Sequence, residues 1–389
     1  MIRRTLESRA LELARRFPIV TITGPRQSGK TTLCQMAFPE KPYVSLEALD
    51  KREFAASDPR GFLAQFPTGA VLDEVQRVPD LLSYLQVLSD ESRRNGEWIL
   101  TGSQNLALLE SISQSLAGRS ALVQLLPPDL EELRRFPNPP TDLWSTVFAG
   151  AYPRIHQEGI PPGDFLDGYV TSYVERDVRQ VLRVGDLASV QTFLRLCSGR
   201  TGQLVNLSGL GSDAGISYHT ARAWLSVLAA GFIVFLLRPF FGNLGKRLVK
   251  RPKLFFLDSG LLCFLLGIRE PAQLETHPLR GEVFETWVVS EVLKARRHRA
   301  QPADLLFYRD AKGLEVDLLI QRGHEWAGVE AKSARTATAE FWAGLAKLDA
   351  LLRSHSSGLC ERTVVYGGDA EVRRSDVRIL PWHAVGRID

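Results

Sequence analysis

The sequence contains few of the features that mark secreted, metal-rich or membrane-spanning proteins. Its four cysteines, at positions 34, 197, 263 and 360, are scattered, and their spacing suits neither a zinc site nor a disulfide framework. The two most apolar runs, residues 229–237 and 261–266, are far shorter than the roughly 20 residues that span a bilayer. We interpret both runs as buried core and expect no membrane partner. The charged N-terminal segment lacks the apolar stretch of a signal peptide, so we expect a cytoplasmic protein.

Internal repeats and low-complexity tracts are also missing from the sequence. A content of 44% hydrophobic and 24% charged residues is typical of a globular protein, and a net charge of +4 is only weak evidence for an acidic partner. A chain of 389 residues exceeds one ordinary hydrophobic core. We therefore expect two or three domains.

The first third of the chain alternates short apolar runs with amphipathic stretches, a pattern typical of an α/β domain. It predicts strands over residues 18–23, 43–46, 70–73, 98–101 and 121–125, with helices over 30–37 and 79–94. A proline-rich break at 136–140 indicates a boundary. We predict an α/β domain over 1–137, a mostly helical domain over 138–280 and a small α/β domain over 281–389.

A phosphate-binding motif follows the first predicted strand. Residues 24–31 read GPRQSGKT and match G-x-x-x-x-G-K-[ST] between an apolar strand and a helix-forming run. The two glycines let the backbone fold around phosphate oxygens at a helix N-terminus. Lys30 can neutralise the β and γ phosphates, and the Thr31 hydroxyl can ligate Mg²⁺. The predicted site for ATP and Mg²⁺ comprises Gly24, Pro25, Arg26, Gln27, Ser28, Gly29, Lys30, Thr31 and Thr32.

Two acids end the third predicted strand, at Asp73 and Glu74. Burying two acids is unfavourable unless a metal or a water needs them. We predict that Asp73 holds the Mg²⁺ shell and that Glu74 orients and deprotonates the attacking water. The fourth strand ends at Ser103, Gln104 and Asn105, one of which is predicted to sense the γ-phosphate. Helix capping is the alternative role for Ser103 or Asn105.

The motifs GPRQSGKTT, VLDEVQ, ILTGSQN and SLAGR occur in this order, and YVERDV, LFFLDSGLL, GLEVDLLI and VEAKS follow. Together they resemble the AAA-superfamily ATPases of bacteria and archaea that carry a C-terminal domain of unknown function. The resemblance implies an ATPase that forms a homo-oligomer, with a hexameric ring as one arrangement. It also implies an arginine that reaches a neighbour's nucleotide, for which Arg119 is the first candidate and Arg176 the second. An internal salt bridge is the alternative for either arginine.

Residues 206–232 predict a helix, a glycine-rich turn and a second helix that Ser217 caps. One face of the second helix is apolar, with Ala221, Trp224, Leu225 and Leu228. Its N-terminal end leaves Tyr218, His219 and Arg222 exposed. In helix-turn-helix proteins this end of the second helix meets base edges. We therefore predict a contact with DNA here.

A basic run without acids follows this helix pair. It contains Arg238, Lys246, Arg247, Lys250, Arg251 and Lys253. A winged helix whose basic wing grips DNA phosphates explains both segments. The alternative is a winged helix that serves only as a structural or protein-docking lid.

Two apolar strands, residues 314–320 and 326–333, flank a turn in the C-terminal third. A two-residue II′ turn at Gly323 and His324 places Asp317 opposite Glu330, and Lys332 lies on the same face as Glu330. Moving the turn back by one residue places Glu315 opposite Glu330 instead. In either register the acids share one face, and facing carboxylates repel each other unless a cation lies between them.

An acid on one strand and Glu-x-Lys on the next resembles the core of the restriction-endonuclease-like, PD-(D/E)xK, nucleases. The resemblance implies that Asp317, Glu330 and the helical acid Glu285 bind Mg²⁺, with Lys332 assisting the chemistry. Val316 stands where that family's motif has proline, so cleavage does not follow from the motif. A nuclease-derived DNA-binding or docking module is the alternative.

The combined prediction is an AAA-type P-loop α/β domain, a helical and winged-helix-like middle and a nuclease-like α/β end. Such a protein would hydrolyse ATP and remodel DNA, for example a branch or junction. One rival is an ATP-dependent regulatory or docking protein that does not act on nucleic acid. A second rival is a dead nuclease fold, with ATP hydrolysis as the only chemistry.

Overall fold

The computed structural model of the chain describes residues 1–103, 116–173, 187–240, 249–355, 357–374 and 376–388. The chain divides into two compact units. The first contains Met1–Pro128, Ala230–Phe232 and Arg296–Pro302, and the second contains Asp129–Ala229, Ile233–Ala295 and Ala303–Asp389. Within the described ranges, no helix has both the length and the apolar content needed to cross a membrane.

A parallel sheet forms the centre of the first unit. Its strands are β1 (Ile19–Gly24), β2 (Tyr43–Ser45), β3 (Val71–Asp73), β4 (Trp98–Ser103) and β5 (Ser120–Gln124), in the order β2-β3-β4-β1-β5. All neighbouring strands run parallel. The five predicted strands are confirmed. Because β4 lies between β1 and β3, the end of β4 separates the phosphate-binding loop from the acid pair.

Both faces of this sheet are buried, as parallel sheets require. Ile19, Leu72 and Leu100 belong to one hydrophobic cluster, and the residues beside them along the strands, Val20, Val71 and Ile99, belong to another. This alternation follows from the period of two along a strand. It explains why the strands are almost continuously apolar.

Helices cover this sheet. They are α1 (Leu6–Ala14), α2 (Lys30–Ala37), α3 (Leu49–Ser57), α4 (Pro59–Ala64) and α5 (Leu81–Ser92), with a 3₁₀ turn over Val75–Arg77. The Asp58 side chain caps α4 by accepting a hydrogen bond from the backbone N–H of Gly61 at 2.9 Å. The predicted helices over 30–37 and 79–94 correspond to α2 and α5.

The rest of the chain begins as a mostly helical region, as predicted. Its helices are α6 (Leu130–Leu133), α7 (Leu143–Ala149), α8 (Pro153–Glu158), α9 (Pro162–Tyr173), α10 (Leu187–Ser198), α11 (Leu207–Ala214), α12 (Tyr218–Ala230), α13 (Ser259–Leu265), α14 (Gln273–Thr276), α15 (Arg280–His298) and α16 (Ala343–Arg353), with 3₁₀ turns over Ala339–Trp342 and Trp382–Arg387. The run 261–266 lies in and after α13, where Leu261 and Leu262 are buried. Its interpretation as core is confirmed.

One mixed sheet unites the strands of the second unit. They are β6 (Val234–Pro239), β7 (Lys253–Phe256), β8 (Leu305–Arg309), β9 (Glu315–Arg322), β10 (Glu325–Lys332), β11 (Leu359–Tyr366), β12 (Val372–Arg374) and β13 (Val377–Pro381), in the order β12-β13-β11-β10-β9-β8-β6-β7. The sequence predicts only β9 and β10 of the C-terminal strands. The hairpin β6–β7 continues this sheet, because β6 pairs with β8 in parallel through Arg238 and Leu306.

The β9–β10 hairpin has the register predicted for a turn at Gly323 and His324. Arg322 pairs with Glu325, and Leu318 pairs with Val329. Gly323 has φ +62°, as a II′ turn requires of its first central residue. The alternative register, which places Glu315 opposite Glu330, is therefore wrong.

Candidate functional site

The phosphate-binding loop connects β1 to α2 and needs glycine at two of its positions. A methyl group at Gly24 would lie 2.1 Å from the carbonyl oxygen of Leu125, so no larger residue fits there. Gly29 precedes α2 with φ +91°, in the left-handed region that favours glycine. Gln27 is also left-handed, with φ +60°, and is exposed at the tip of the loop. The loop therefore presents backbone to a ligand at the N-terminus of α2.

Lys30 lies inside the loop. Its side chain is almost fully buried, and its Nζ donates to the carbonyl oxygens of Gly24 at 3.1 Å and Pro25 at 2.8 Å. Burial lowers the pKa of Lys30, against the opposing charges of Glu74 and Asp73. Its hydrogen-bonding partners in the structure are thus neutral carbonyls, which leave its charge available for an anion.

Ser28 contributes a polar atom without a partner. Its Oγ is buried inside the loop and makes no hydrogen bond. Buried hydroxyls normally find a partner, so this oxygen indicates a place for a ligand. Of the remaining predicted loop residues, Pro25 is buried, whereas Arg26 and Thr32 are half-buried. The residues present therefore fit a bound phosphate chain.

Asp73 lies at the end of β3 and accepts three hydrogen bonds from side chains. Thr31 Oγ1 donates to its Oδ2 at 2.9 Å, and the hydroxyl groups of Tyr43 and Thr101 also donate to its carboxylate. Burial and the neighbouring Asp73 raise the pKa of Tyr43. The pair Thr31 and Asp73 is the one predicted to hold Mg²⁺. Neither Tyr43 nor Thr101 was predicted as a site residue, although the motif ILTGSQN contains Thr101.

Glu74 begins the 3₁₀ turn after β3 in a left-handed conformation, with φ 58°. Its Oε2 accepts hydrogen bonds from Gln76 Nε2 and, at 3.4 Å, from Ser103 Oγ. Gln76 Nε2 also contacts Ser103 Oγ at 2.9 Å. Ser103 therefore lies beside the predicted base. Gln76 is a further site residue that the sequence misses, although VLDEVQ contains it; Gln104 and Asn105 lie outside the described residues.

Arg119 lies at the start of β5, where its carbonyl accepts a hydrogen bond from the backbone N–H of Ile19. Its guanidinium makes two hydrogen bonds to Asp90, at 2.6 and 2.8 Å. The six residues of β1 separate this edge of the sheet from the phosphate loop, a distance of roughly 15–20 Å. Arg119 therefore does not reach the nucleotide site of its own chain. Arg176 lies outside the described residues.

The second unit contains a cluster of four acids, which we call the acid cluster: Glu285 on α15, Glu315 and Asp317 on β9, and Glu330 on β10. Lys332 Nζ lies 2.7 Å from Glu330 Oε2 and 3.7 Å from Asp317 Oδ2. The backbone N–H of Ala331 donates to Asp317 Oδ2 at 2.9 Å. The prediction that Asp317, Glu330 and Lys332 share one face is confirmed.

Lys253, at the start of β7, completes this cluster. Its Nζ lies 2.8 Å from Glu285 Oε1 and 2.5 Å from Glu315 Oε1, and its side chain is 3% exposed. The sequence assigns Lys253 to a basic run that contacts DNA phosphates. That assignment is wrong for this residue, because strand pairing with Leu237 turns it into the protein.

The acids of the cluster differ in their affinity for protons. Burial and the charge of Asp317 raise the pKa of Glu285 to about 8 and that of Glu330 to about 9. Burial would also raise the pKa of Asp317, but the charges of Lys332 and Lys253 outweigh it and hold this pKa below its usual value. Among these three acids, Asp317 is thus the one whose pKa favours the ionised form.

The predicted DNA-contacting helix is α12. Thr220 N–H donates to Ser217 Oγ at 3.1 Å, which confirms the predicted cap. The predicted apolar face is buried, whereas Tyr218, His219 and Arg222 are exposed. In the basic run, Lys250 and Arg251 are exposed immediately before β7. Lys246 and Arg247 lie outside the described residues.

Comparisons with known proteins agree with the geometry of the first unit. A family model described as an AAA domain matches residues 16–134. Models described as domains of unknown function, DUF8612 and DUF4143, match residues 140–272 and 280–385. The protein is an AAA-type P-loop ATPase with a C-terminal domain of unknown function, and ATP and Mg²⁺ are the cofactors of this class.

More specifically, the chain belongs to the family of two uncharacterized mycobacterial proteins, Rv2008c of Mycobacterium tuberculosis and Mb2031c of Mycobacterium bovis. It is 30% identical to each over 348 residues, which cover 86% of this chain and 74% of the relative. Among solved structures it is similar to the Walker-type ATPase PABY2304 of Pyrococcus abyssi, at 19% identity and a TM-score of 0.44, over 67% of this chain and 94% of that chain.

Proposed function

We propose that this protein hydrolyses ATP with Glu74 as the general base and uses the cycle to bind and remodel DNA as a homo-oligomer. The observation that carries the proposal is the side-chain network at the end of β3 and β4. It places Glu74 beside Ser103 and places Asp73 in contact with Thr31. Orphaned Ser28 Oγ and buried Lys30 supply the phosphate side of the same site.

Each residue then has one task. Lys30 Nζ exchanges its carbonyl partners for β- and γ-phosphate oxygens, and Thr31 with Asp73 positions Mg²⁺, which neutralises phosphate charge when bound. The Glu74 carboxylate orients a water and accepts its proton. Gln76 and Ser103 orient that carboxylate, because both donate hydrogen bonds to its Oε2 and Gln76 also donates to Ser103.

Substitution of Glu74 tests the hydrolytic part of this proposal. Glu74→Gln keeps the shape of the side chain but cannot accept a proton, so we expect ATP binding to persist while turnover falls by roughly 10²–10⁴-fold. Glu91→Gln, at an exposed position on α5, is the matched control. Turnover by Glu74→Gln at the parental rate would show that another group is the base.

The second unit supports a contact with DNA. Exposed Tyr218, His219 and Arg222 lie at the N-terminal end of α12, and the hairpin β6–β7 follows this helix. A helix pair followed by a hairpin that carries exposed Lys250 and Arg251 is the arrangement expected of a winged helix. The helix would enter a groove of the DNA, while the basic side chains of Lys250 and Arg251 would contact its phosphates.

The acid cluster supports the nuclease-like assignment of the C-terminal domain, because Asp317, Glu330 and Lys332 meet on one face. The position of Arg119 supports the homo-oligomer. An arginine at the sheet edge away from its own nucleotide could act on ATP only at a neighbour's site, whereas its pair with Asp90 is the internal salt bridge of the alternative interpretation.

A gel shift with duplex, single-stranded and branched DNA tests the nucleic-acid part of the proposal. We expect retention of DNA by the parent protein and weaker retention by Tyr218→Ala and Arg222→Ala. Ser226→Ala, at an exposed position on the same helix, is the control. Absence of binding to all three DNA forms would favour a regulatory or docking protein that does not act on nucleic acid.

A further inference from the structure

The acid cluster of the second unit contains its own cations. We propose that Lys253 takes the place of a divalent cation there, so that the nuclease-like core of this chain binds no metal and does not cleave nucleic acid. The inference rests on the nuclease-like assignment proposed above and concerns the same face. It turns that domain into a module that can hold DNA without cutting it.

The position of Lys253 is the first support. It approaches the cluster from β7, whereas Lys332 approaches from β10, so two ammonium groups stand among the four carboxylates. Nζ of Lys253 lies 5.9 Å from the ring centroid of Phe255 and 5.5 Å from that of Phe307. The Lys253 side chain is 3% exposed, so these rings and the acids shield its ammonium from water. Lys253 is therefore a buried member of the cluster that pairs with two of its acids.

The oxygens that the lysines hold are the second support. Lys253 Nζ donates to Glu285 Oε1 at 2.8 Å, and Lys332 Nζ donates to Glu330 Oε2 at 2.7 Å. Mg²⁺ demands octahedral coordination by oxygen ligands. These two oxygens already accept hydrogen bonds from ammonium groups, so a metal could use them only by displacing both lysines.

Charge is the third support. Arg309 also pairs with the cluster, at 3.2 Å from Glu315 Oε2, so the four acids face three cations. A divalent ion that enters must approach two lysine ammonium groups at contact distance. At an effective dielectric constant of about 20, repulsion at this range weakens binding by roughly a hundredfold or more. The cluster instead ties β7, which exposed Lys250 and Arg251 precede, to the C-terminal sheet.

Mn²⁺ binding to the full chain tests the proposal. The background protein carries Lys30→Ala and contains no nucleotide, which removes the metal that ATP carries. We expect isothermal titration calorimetry to detect no Mn²⁺ site in this background. Addition of Lys253→Met, which keeps an unbranched side chain one atom shorter and removes the charge, should tighten Mn²⁺ binding by about tenfold or more. Further addition of Asp317→Asn should remove the gained site.

Lys253→Arg is the matched control, because it retains the positive charge and should gain no site. Thermal melts of every variant report whether it folds. Mn²⁺ binding by the Lys30→Ala background that is lost on addition of Asp317→Asn would overturn the proposal. This outcome does not depend on any Lys253 variant. A folded Lys253→Met protein without a new site would overturn the role of Lys253. Gel shifts on the same samples report DNA binding separately, so failure here is distinct from failure of the proposed function.

Discussion

Two regions of this protein each hold a buried lysine beside acidic side chains, and they use it in opposite ways. In the phosphate loop of the first unit, Lys30 donates to two backbone carbonyls, and burial lowers its pKa. In the acid cluster of the second unit, Lys253 pairs with Glu285 and Glu315, whose charges overcome burial and raise its pKa. One lysine has neutral partners and the other has anionic ones.

The partners of a buried charge, more than its burial, thus decide whether a site can bind a ligand. Carbonyl oxygens only partly compensate an ammonium, so an incoming phosphate improves the environment of Lys30. Carboxylates compensate Lys253 fully, so a second cation has nothing to gain in the acid cluster. Ser28 Oγ is likewise buried without a hydrogen-bond partner, so the phosphate loop holds a second polar group that a ligand could satisfy.

Removal of the fully paired lysine should have the largest effect. Lys253→Met leaves Glu285 without its cation and Glu315 paired with Arg309 alone, and breaking a buried pair from one side costs about 3–5 kcal/mol of stability. The free energy of unfolding from urea titrations should fall by this amount. The control is Lys312→Met, at an exposed position before β9, which should leave the free energy of unfolding unchanged. Equal free energies of unfolding for Lys253→Met and Lys312→Met would show that the ion pairs of Lys253 do not stabilise the fold. The contrast between Lys253 and Lys30 would then be lost.

The same substitution in the phosphate loop should act on binding instead of stability. Lys30→Met loses only bonds to carbonyls, so the free energy of unfolding should change by less than about 1 kcal/mol. ATP affinity should fall by roughly a hundredfold, because the buried phosphate charge loses its partner. Titration with a fluorescent ATP analogue measures this loss, with exposed Lys51→Met as control. A strongly destabilised Lys30→Met protein would contradict the interpretation of Lys30 as poised for a ligand.

A third experiment asks whether the nucleotide site is complete within one chain. If Arg119 acts at a neighbour's site, as proposed, Arg119→Ala should lower turnover at least about tenfold without weakening ATP binding. Mixing Arg119→Ala with Glu74→Gln subunits should restore part of the activity, because some interfaces regain a whole site. Arg16→Ala, an exposed arginine of the same unit, serves as control. No rescue at any mixing ratio would indicate that the pair with Asp90 is the whole role of Arg119.

The smallest effect concerns the basic residues around β7. Lys250→Ala with Arg251→Ala should flatten the slope of log K for DNA against log salt by about 2, since each phosphate contact contributes about 0.9. Lys253→Met should leave that slope unchanged, because Lys253 is buried among acids. A slope that responds equally to both sets of substitutions would mean that Lys253 reaches the DNA.

The two regions also differ in how far they could be predicted. In the first unit, strand positions, the loop and the acid pair follow from motifs of consecutive residues, and β1, α2 and β3 lie where expected. Tyr43, Gln76 and Thr101 were not predicted as site residues. Tyr43 and Thr101 meet Asp73 only because β2, β3 and β4 are neighbours in the sheet, whereas Gln76 contacts Glu74 from two positions further along the same turn.

In the second unit, local chemistry predicted a hairpin register but not the sheet around it. Gly323 at the turn determined that Arg322 pairs with Glu325, and hence that Asp317 and Glu330 share a face. Strands β8 and β11 to β13 carry no comparable turn signal, and their pairing depends on partners far along the chain. The continuation of this sheet into β6 and β7 likewise has no local signature.

The amino-acid sequence was enough to predict the phosphate loop, its acid pair and the face shared by Asp317, Glu330 and Lys332. These features depend on spacing within one strand, turn or helix start, where backbone geometry leaves little choice. The cation that pairs with Glu285 and Glu315 became evident only from the tertiary structure. In the sequence, Lys253 is one of several basic residues in a run. Its partner Glu285 lies 32 positions further along the chain. Strand pairing buries this lysine, and burial makes its carboxylate partners obligatory.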